Sequence, residues 1–324
     1  MTVRSRSASV ALATLLGAAA VLTGTSSAHA SPAPEEGRSC AYGDIVSAPK
    51  GAIPRDDSMV QTRDPLAKWV KAHPRAAQAA AAGATVTVPV AVHVIRKDDS
   101  VAGGNIPDTW ITDQIDVLNT AYSGGQHAGA PDTGFRFELE SVDRTTKASW
   151  FAMNYTSGDK HRFVRGSSKE IKMKQELSTR DPGTLDLYTA NLGRLLLGYA
   201  YLPTDFQEGY PQFLDGVVVD YRSLPGGPYG DYAEGDTTTH EVGHWLNLEH
   251  TFSGGCVAPG DFVADTPYEA SPAFNCPEGR DSCPDQPGVD PIHNFMDYTV
   301  DPCMYEFTDG QTVRMQQAWA AYRS

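Results

Sequence analysis

The chain has 324 residues, with 26 Lys and Arg against 40 Asp and Glu, a formal charge of −14. That acidity excludes a nucleic-acid wrapper, which needs a basic face for phosphate. A content of 40% hydrophobic and 20% charged residues describes a globular protein with a sizeable core, not a disordered or fibrous one.

Arg4 and Arg6 open the chain, an apolar run covers 10–21, and Ala28-His29-Ala30 puts small residues where a signal peptidase reads. Residues 1–30 are therefore expected to be a secretory signal peptide, with an apolar run too short to span a membrane. No later segment reaches eighteen apolar residues. The mature protein is expected outside the cell, unanchored, where cysteines can pair.

Residues 31–84 are poor in strand patterns and rich in Pro, Ala and charge. They hold one helical stretch at 64–72, and an Ala/Gly tract at 76–84 that reads as a linker or a frayed helix end. At Thr85 the pattern changes. Residues 85–95 alternate and are β-branched, which predicts a strand, with Pro89 favouring a sheet edge or a strand start. The main domain boundary is placed here. Beyond it come a helix at 111–122 on Ile111, Ile115, Leu118 and Tyr122, a strand at 135–142, and a helix at 169–177. A strand at 185–190, a buried strand at 215–221 and a helix at 237–248 follow. After a long loop-rich stretch, 310–322 closes the chain as a helix. Strands first, then helices and irregular loops, give an α+β class.

The chemistry concentrates in 240–250, His-Glu-Val-Gly-His-Trp-Leu-Asn-Leu-Glu-His, which holds three of the nine histidines. On a helix His240 and His244 share a face and can grip one ion. Glu241, one step round, can reach a water on that ion without being a ligand. Asp236 and Thr237 to Thr239 are capping candidates at the helix start. His250 lies about 600° beyond His244 on a continuous helix and would point elsewhere. The chain must therefore leave the helix, and Asn247 is a suitable exit because Asn tolerates the left-handed conformation. Three ligands with an open fourth position is the catalytic arrangement of zinc.

This window resembles the HExxHxxGxxH pattern of the metzincin metalloproteases, and with His-Thr-Phe at 250–252 it is similar to the pappalysin (cytophagalysin-type) family. The resemblance continues through Gly254-Gly255-Cys256, Asp265-Thr266-Pro267, the Asn-Phe-Met-Asp-Tyr string at 294–298, Cys303-Met304, and 307–311. It covers most of 85–324. One departure is Asn247, where the family usually has Gly.

The resemblance implies a metzincin-like catalytic domain. A twisted mixed sheet and the active-site helix form its upper subdomain. A loop-rich, disulfide-stapled lower subdomain ends in a helix. It also implies one catalytic Zn²⁺ on His240, His244 and His250, Glu241 as the proton carrier, Met296 as a Met-turn floor and Tyr298 as an oxyanion donor. Protein or peptide substrates follow.

Cys256, Cys276, Cys283 and Cys303 allow three connectivities, or a second zinc site; the resemblance favours Cys256–Cys283 and Cys276–Cys303. Cys40 remains alone, and it is either the thiol latch of a propeptide at 31–84 or an incidental thiol. Asp261, Asp265 and Thr266 lie in a segment that resembles a family calcium loop, so Ca²⁺ is a candidate second ion. Residues 85–199 carry 13 basic and 14 acidic residues, and 200–324 carry 4 and 20. The acidity thus lies in the half with the metal motif, which favours basic substrate side chains with Asp301 as a contact.

The leading expectation is a secreted, monomeric zinc endopeptidase made as a zymogen. Its rivals are a secreted binding protein that keeps the metal site as scaffold, and a zinc hydrolase of non-peptide amides.

Overall fold

A computed structural model describes residues 64–153, 167–193, 196–207 and 209–324; the signal segment and Cys40 lie outside them. Two short helices come first, α1 (Pro65–Ala72) and α2 (Pro74–Ala81). Each begins on proline, whose missing N–H is no loss in a first turn. Asp64 caps α1, its Oδ1 accepting the Leu66 N–H at 3.0 Å. The Ala tract is not a linker but helix as far as Ala81. Eight residues are marginal as an isolated helix. Tertiary packing decides here, because Ala77 is buried and its carbonyl accepts from Gln317 of the C-terminal helix at 3.4 Å.

Next come β1 (Val86–Arg96), α3 (Asp108–Tyr122), β2 (Phe135–Thr146), α4 (Ala148–Phe151), α5 (Ser168–Leu177) and β3 (Leu185–Ala190). β4 (Gly198–Ala200), α6 (Pro203–Gln207) and β5 (Val217–Asp220) complete the sheet, whose order is β2-β1-β3-β5-β4. β2, β1, β3 and β5 run parallel and β4 runs antiparallel to β5. The mixed sheet fits the α+β class, although helices alternate with strands in its first half.

β1 is interior, so Pro89 is not on an edge strand. Pairing with β3 begins at Val90, one residue later, so β1 is one-sided where the proline sits. His93 stitches three strands: its Nδ1 bonds Asp143 on β2, and its Nε2 lies 3.3 Å from Asp186 Oδ1 on β3. Burial alone would lower its pKa, but the hydrogen bonds and charges of the two aspartates outweigh that and raise it.

α7 (Asp236–Trp245) packs on β4 and β5, and irregular chain follows over 246–308. Cys256–Cys283 and Cys276–Cys303 staple that stretch, with Cα atoms 5.5 and 5.7 Å apart. Each spans 27 residues, worth about 3–4 kcal/mol by loop-closure entropy. α8 (Asp309–Tyr322) closes the chain behind a Thr308–Gln311 capping box. Just beyond it, Arg323 lies 3.6 Å over the Trp245 ring and pairs with Asp215 at 2.8 Å, tying the C-terminus to the end of α7. Among the described residues no helix is long and apolar enough to cross a membrane.

Candidate active site

α7 is buried along its whole length, so its polar residues need partners inside the protein. Its start differs from the sequence expectation. Gly235, at φ +105°, is the N-cap, and no side chain of Asp236 or the threonines caps the helix. The acceptor comes from far along the chain: Asp301 Oδ2 receives the N–H groups of Glu234, Gly235 and Asp236 at 2.9, 3.1 and 3.4 Å. Asp301, expected as a substrate contact, is thus first a buried acceptor at the positive end of α7.

The helix ends at Trp245, three residues before the predicted end. Asn247 adopts φ +75°. Its N–H bonds the His244 carbonyl at 2.8 Å, and the Leu248 N–H bonds the Gly243 carbonyl at 2.9 Å. This is a Schellman turn with Asn at the left-handed position. It brings His250 back under the helix. His244 Nε2 lies 3.0 Å from His240 Nε2 and 3.1 Å from His250 Nε2.

Two of the rings are fixed from behind. His240 Nδ1 donates to the Phe295 carbonyl at 2.6 Å, and His244 Nδ1 donates to the Leu248 carbonyl at 2.7 Å. Both Nε2 lone pairs are thereby left for a ligand. Burial pushes His240 down to about 4 and His250 well below its usual value, which keeps the imidazoles neutral. Two Nε2 lone pairs facing one point, with His250 Nε2 beside them, suit a cation held between the rings. Tetrahedral zinc with bonds of about 2.0–2.1 Å needs ligand nitrogens roughly 3.4 Å apart, close to the observed spacing.

Gly243 faces Met296. A methyl placed on this glycine would lie 2.4 Å from Met296 Sδ, so the missing side chain lets the thioether sit against α7 between the two helical histidines. Met296 is held by its N–H on Asn294 Oδ1 at 3.0 Å, and Asn294 exchanges amide bonds with Gln311 of α8. Glu241 is fully buried, and its carboxylate packs on Gly198 of β4. Tyr298 stands over the triad, 4.9 Å from the His250 ring and 5.8 Å from His240. A recess beside it is lined by Leu197, Tyr232, Asp236, His240, Asp301 and Met304. Burial first, opposed by its backbone hydrogen bonds, pushes Asp301 up to about 7; burial and the charge of Asp301 push Asp236 well up.

Sequence reasoning missed Gly198, the Phe295 carbonyl and the role of Asp236 beside Asp301. Only the glycine left a mark in the sequence, and its meaning depends on sheet register. Asp265 accepts from Thr308 Oγ1 and the Gly310 N–H, both at 2.8 Å, at the start of α8. Asp261 is buried, and burial pushes it up to about 7.

The peptidase M43 family model, described as pregnancy-associated plasma protein-A, matches residues 224–320. An extracellular metalloprotease of Colletotrichum graminicola is 42% identical over 75% of this chain and 80% of its own length. The chain belongs to the pappalysin family of metalloproteases. A Verticillium alfalfae extracellular metalloprotease is 44% identical over 75% of this pappalysin and 79% of its own length. Among solved structures, Tannerella forsythia mature mirolysin with a cleaved peptide covers 75% of this chain and 99% of that one, at 28% identity and TM-score 0.56. A promirolysin variant of the same organism covers 82% and 92%, at 26% identity and TM-score 0.61. This pappalysin is accordingly an extracellular zinc metalloendopeptidase.

Proposed function

We propose that His240, His244 and His250 hold the catalytic Zn²⁺, that Glu241 carries the proton, and that Tyr298 assists the oxyanion. The convergence of three Nε2 atoms at 3.0 and 3.1 Å carries this reading. Bound zinc supplies a Lewis acid that acidifies a water and polarises the scissile carbonyl. Glu241 takes the proton of the attacking water on its carboxylate and returns it to the leaving amine. The Tyr298 hydroxyl, on the ring above His250, donates to the carbonyl oxygen as charge builds there. Met296 and the two Nδ1–carbonyl bonds keep the imidazoles from turning.

Substrates are peptides, and basic side chains lie at the mouth of the recess beside His240. The support is the pair of carboxylates lining it, Asp236 and Asp301. The chain is made as a zymogen, with a signal peptide at 1–30, a propeptide at 31–84 and the catalytic domain at 85–324. The greater cover given by promirolysin than by mature mirolysin, 82% against 75% of the chain, agrees with a removable N-terminal segment. Cys40 is its proposed thiol latch. Calcium binds at Asp261 and Thr266, two buried oxygen-bearing side chains that lie against each other; Asp265 serves α8 instead. The enzyme works as an unanchored monomer.

The test is Glu241→Ala beside wild type on casein. Zinc content stays at one ion per chain while hydrolysis is lost, and a chelator abolishes wild-type activity until zinc is restored. Wild-type rates in the variant would remove Glu241 from this role.

A further inference from the structure

The Schellman turn after α7 decides where His250 points, and in this chain it is built on the wrong residue for the task. Asn247 is fully buried, sits at φ +75°, and its side-chain Oδ1 and Nδ2 have no hydrogen-bond partner among the described residues. Glycine takes this conformation without a side-chain penalty, and Asn takes it only at some cost. A buried amide without partners adds to that cost. Something outside the turn has to hold it.

The holding group is on α8. Arg314 is buried, and its Nε donates to the Asn247 carbonyl at 2.9 Å. The rest of the guanidinium lies 5.3 Å over the Phe262 ring, and in the full chain its Nη1 also pairs with Asp64 Oδ2 of the proposed propeptide at 2.8 Å. One residue further, the Leu248 carbonyl is taken by His244 Nδ1 at 2.7 Å. Two of the three carbonyls that run from the left-handed residue to His250 are therefore clamped, that of Leu248 by the His244 ring and that of Asn247 by Arg314. The planar fork of arginine can serve a carbonyl and a carboxylate at once, which an ammonium cannot do in this geometry.

We propose that Arg314 is a positioning residue for the third metal ligand: it holds the strained Asn247 turn that places His250 beside His240 and His244. The inference rests on the reading of His250 as a zinc ligand and adds to it a supporting group 64 residues further along the chain. Arg314 touches neither the metal nor the substrate. It acts through the peptide that follows Asn247.

A glycine at 247 would hold the same turn unaided, so it should make Arg314 dispensable. The experiment measures zinc release to an excess of chelator from four full-length proteins: wild type, Arg314→Met, Asn247→Gly, and the double variant. Thermal midpoint is followed beside it, and peptide KM is read on each protein after the proposed propeptide has been removed. Arg314→Met is expected to lose zinc about tenfold to a hundredfold faster, in the range found when groups supporting a ligand are removed. Its KM stays unchanged, and the double variant returns to within about threefold of wild type. Where Arg314→Met fails to fold, Arg314→Lys is read in the same way, alone and with Asn247→Gly. Wild-type zinc release in the single variant, or release in the double variant as fast as in the single, overturns the proposal. The second result would mean that Arg314 supports α8 and not the turn. A wild-type protein that takes up no zinc would instead sink the reading of the triad itself.

Discussion

Gly198 on β4 and Glu241 on α7 are in direct contact. A methyl on Gly198 would stand 2.8 Å from both Cγ and Oε1 of Glu241, closer than van der Waals contact allows. The edge strand therefore fixes the Glu241 carboxylate through what it lacks. Gly198→Ala is expected to displace that carboxylate while leaving the three histidines in place. A misplacement of about 1 Å can cost roughly a hundredfold in rate, so kcat should fall by about ten to a hundredfold with zinc content and KM near wild type. Steady-state kinetics with metal analysis check this; unchanged kcat would mean that Glu241 adapts freely.

The legible part of this site was the part written in consecutive residues. His240, Glu241 and His244 follow from helical period alone, and the break at Asn247 follows from the geometry that His250 would otherwise violate. Asn247 makes that exit at φ +75°. The hidden part depends on residues far apart. Nothing local marks Asp301 as the acceptor for the start of α7, 65 to 67 residues away. Nothing local gives the contact between Gly198 and Glu241, which exists only after β4 pairs antiparallel with β5. β4 itself has three residues, too few to show a period. The helix at α2 was hidden differently, because alanines without an apolar stripe look like a linker until α8 is packed against them.

The recess beside His240 should respond to pH through Asp301. Burial raises its carboxyl from 3.8 to about 7 in the folded protein. Between those values the folded state holds a proton that the unfolded state has released. The stability this contributes is full below 3.8 and is lost as pH rises toward 7. A basic substrate side chain needs the ionised form, so KM for such substrates should fall as pH rises through about 7. KM for neutral side chains should stay flat. Asp301→Asn keeps an acceptor oxygen for the three N–H groups but removes the charge. It should raise KM for basic substrates about tenfold and abolish the pH slope. A slope that survives in the variant would move this role to Asp236.

Arg280 faces three buried carboxylates, Glu269, Asp290 and Asp297. Its Nη1 lies 2.5 Å from Glu269 Oε1 and 2.6 Å from Asp290 Oδ2, and Asp297 is the third member of the group. Burial and the charge of Asp297 push Glu269 up to about 8, and burial pushes Asp297 up to about 7. Glu269 also accepts from Thr251 Oγ1 at 2.7 Å, and the Thr251 N–H bonds the Met296 carbonyl at 3.2 Å. The cluster therefore supports the residue after His250 and, through it, the Met296 carbonyl. Removing one partner from a buried ion pair leaves an uncompensated charge, so Arg280→Met should cost about 3–5 kcal/mol near pH 8. The cost should shrink toward pH 5, where the carboxyls with raised pKa take up protons and no longer need the guanidinium. Urea unfolding at the two pH values measures it. A loss below about 1 kcal/mol at both would mean that the carboxylates are neutral throughout, and the guanidinium would then be a packing group alone.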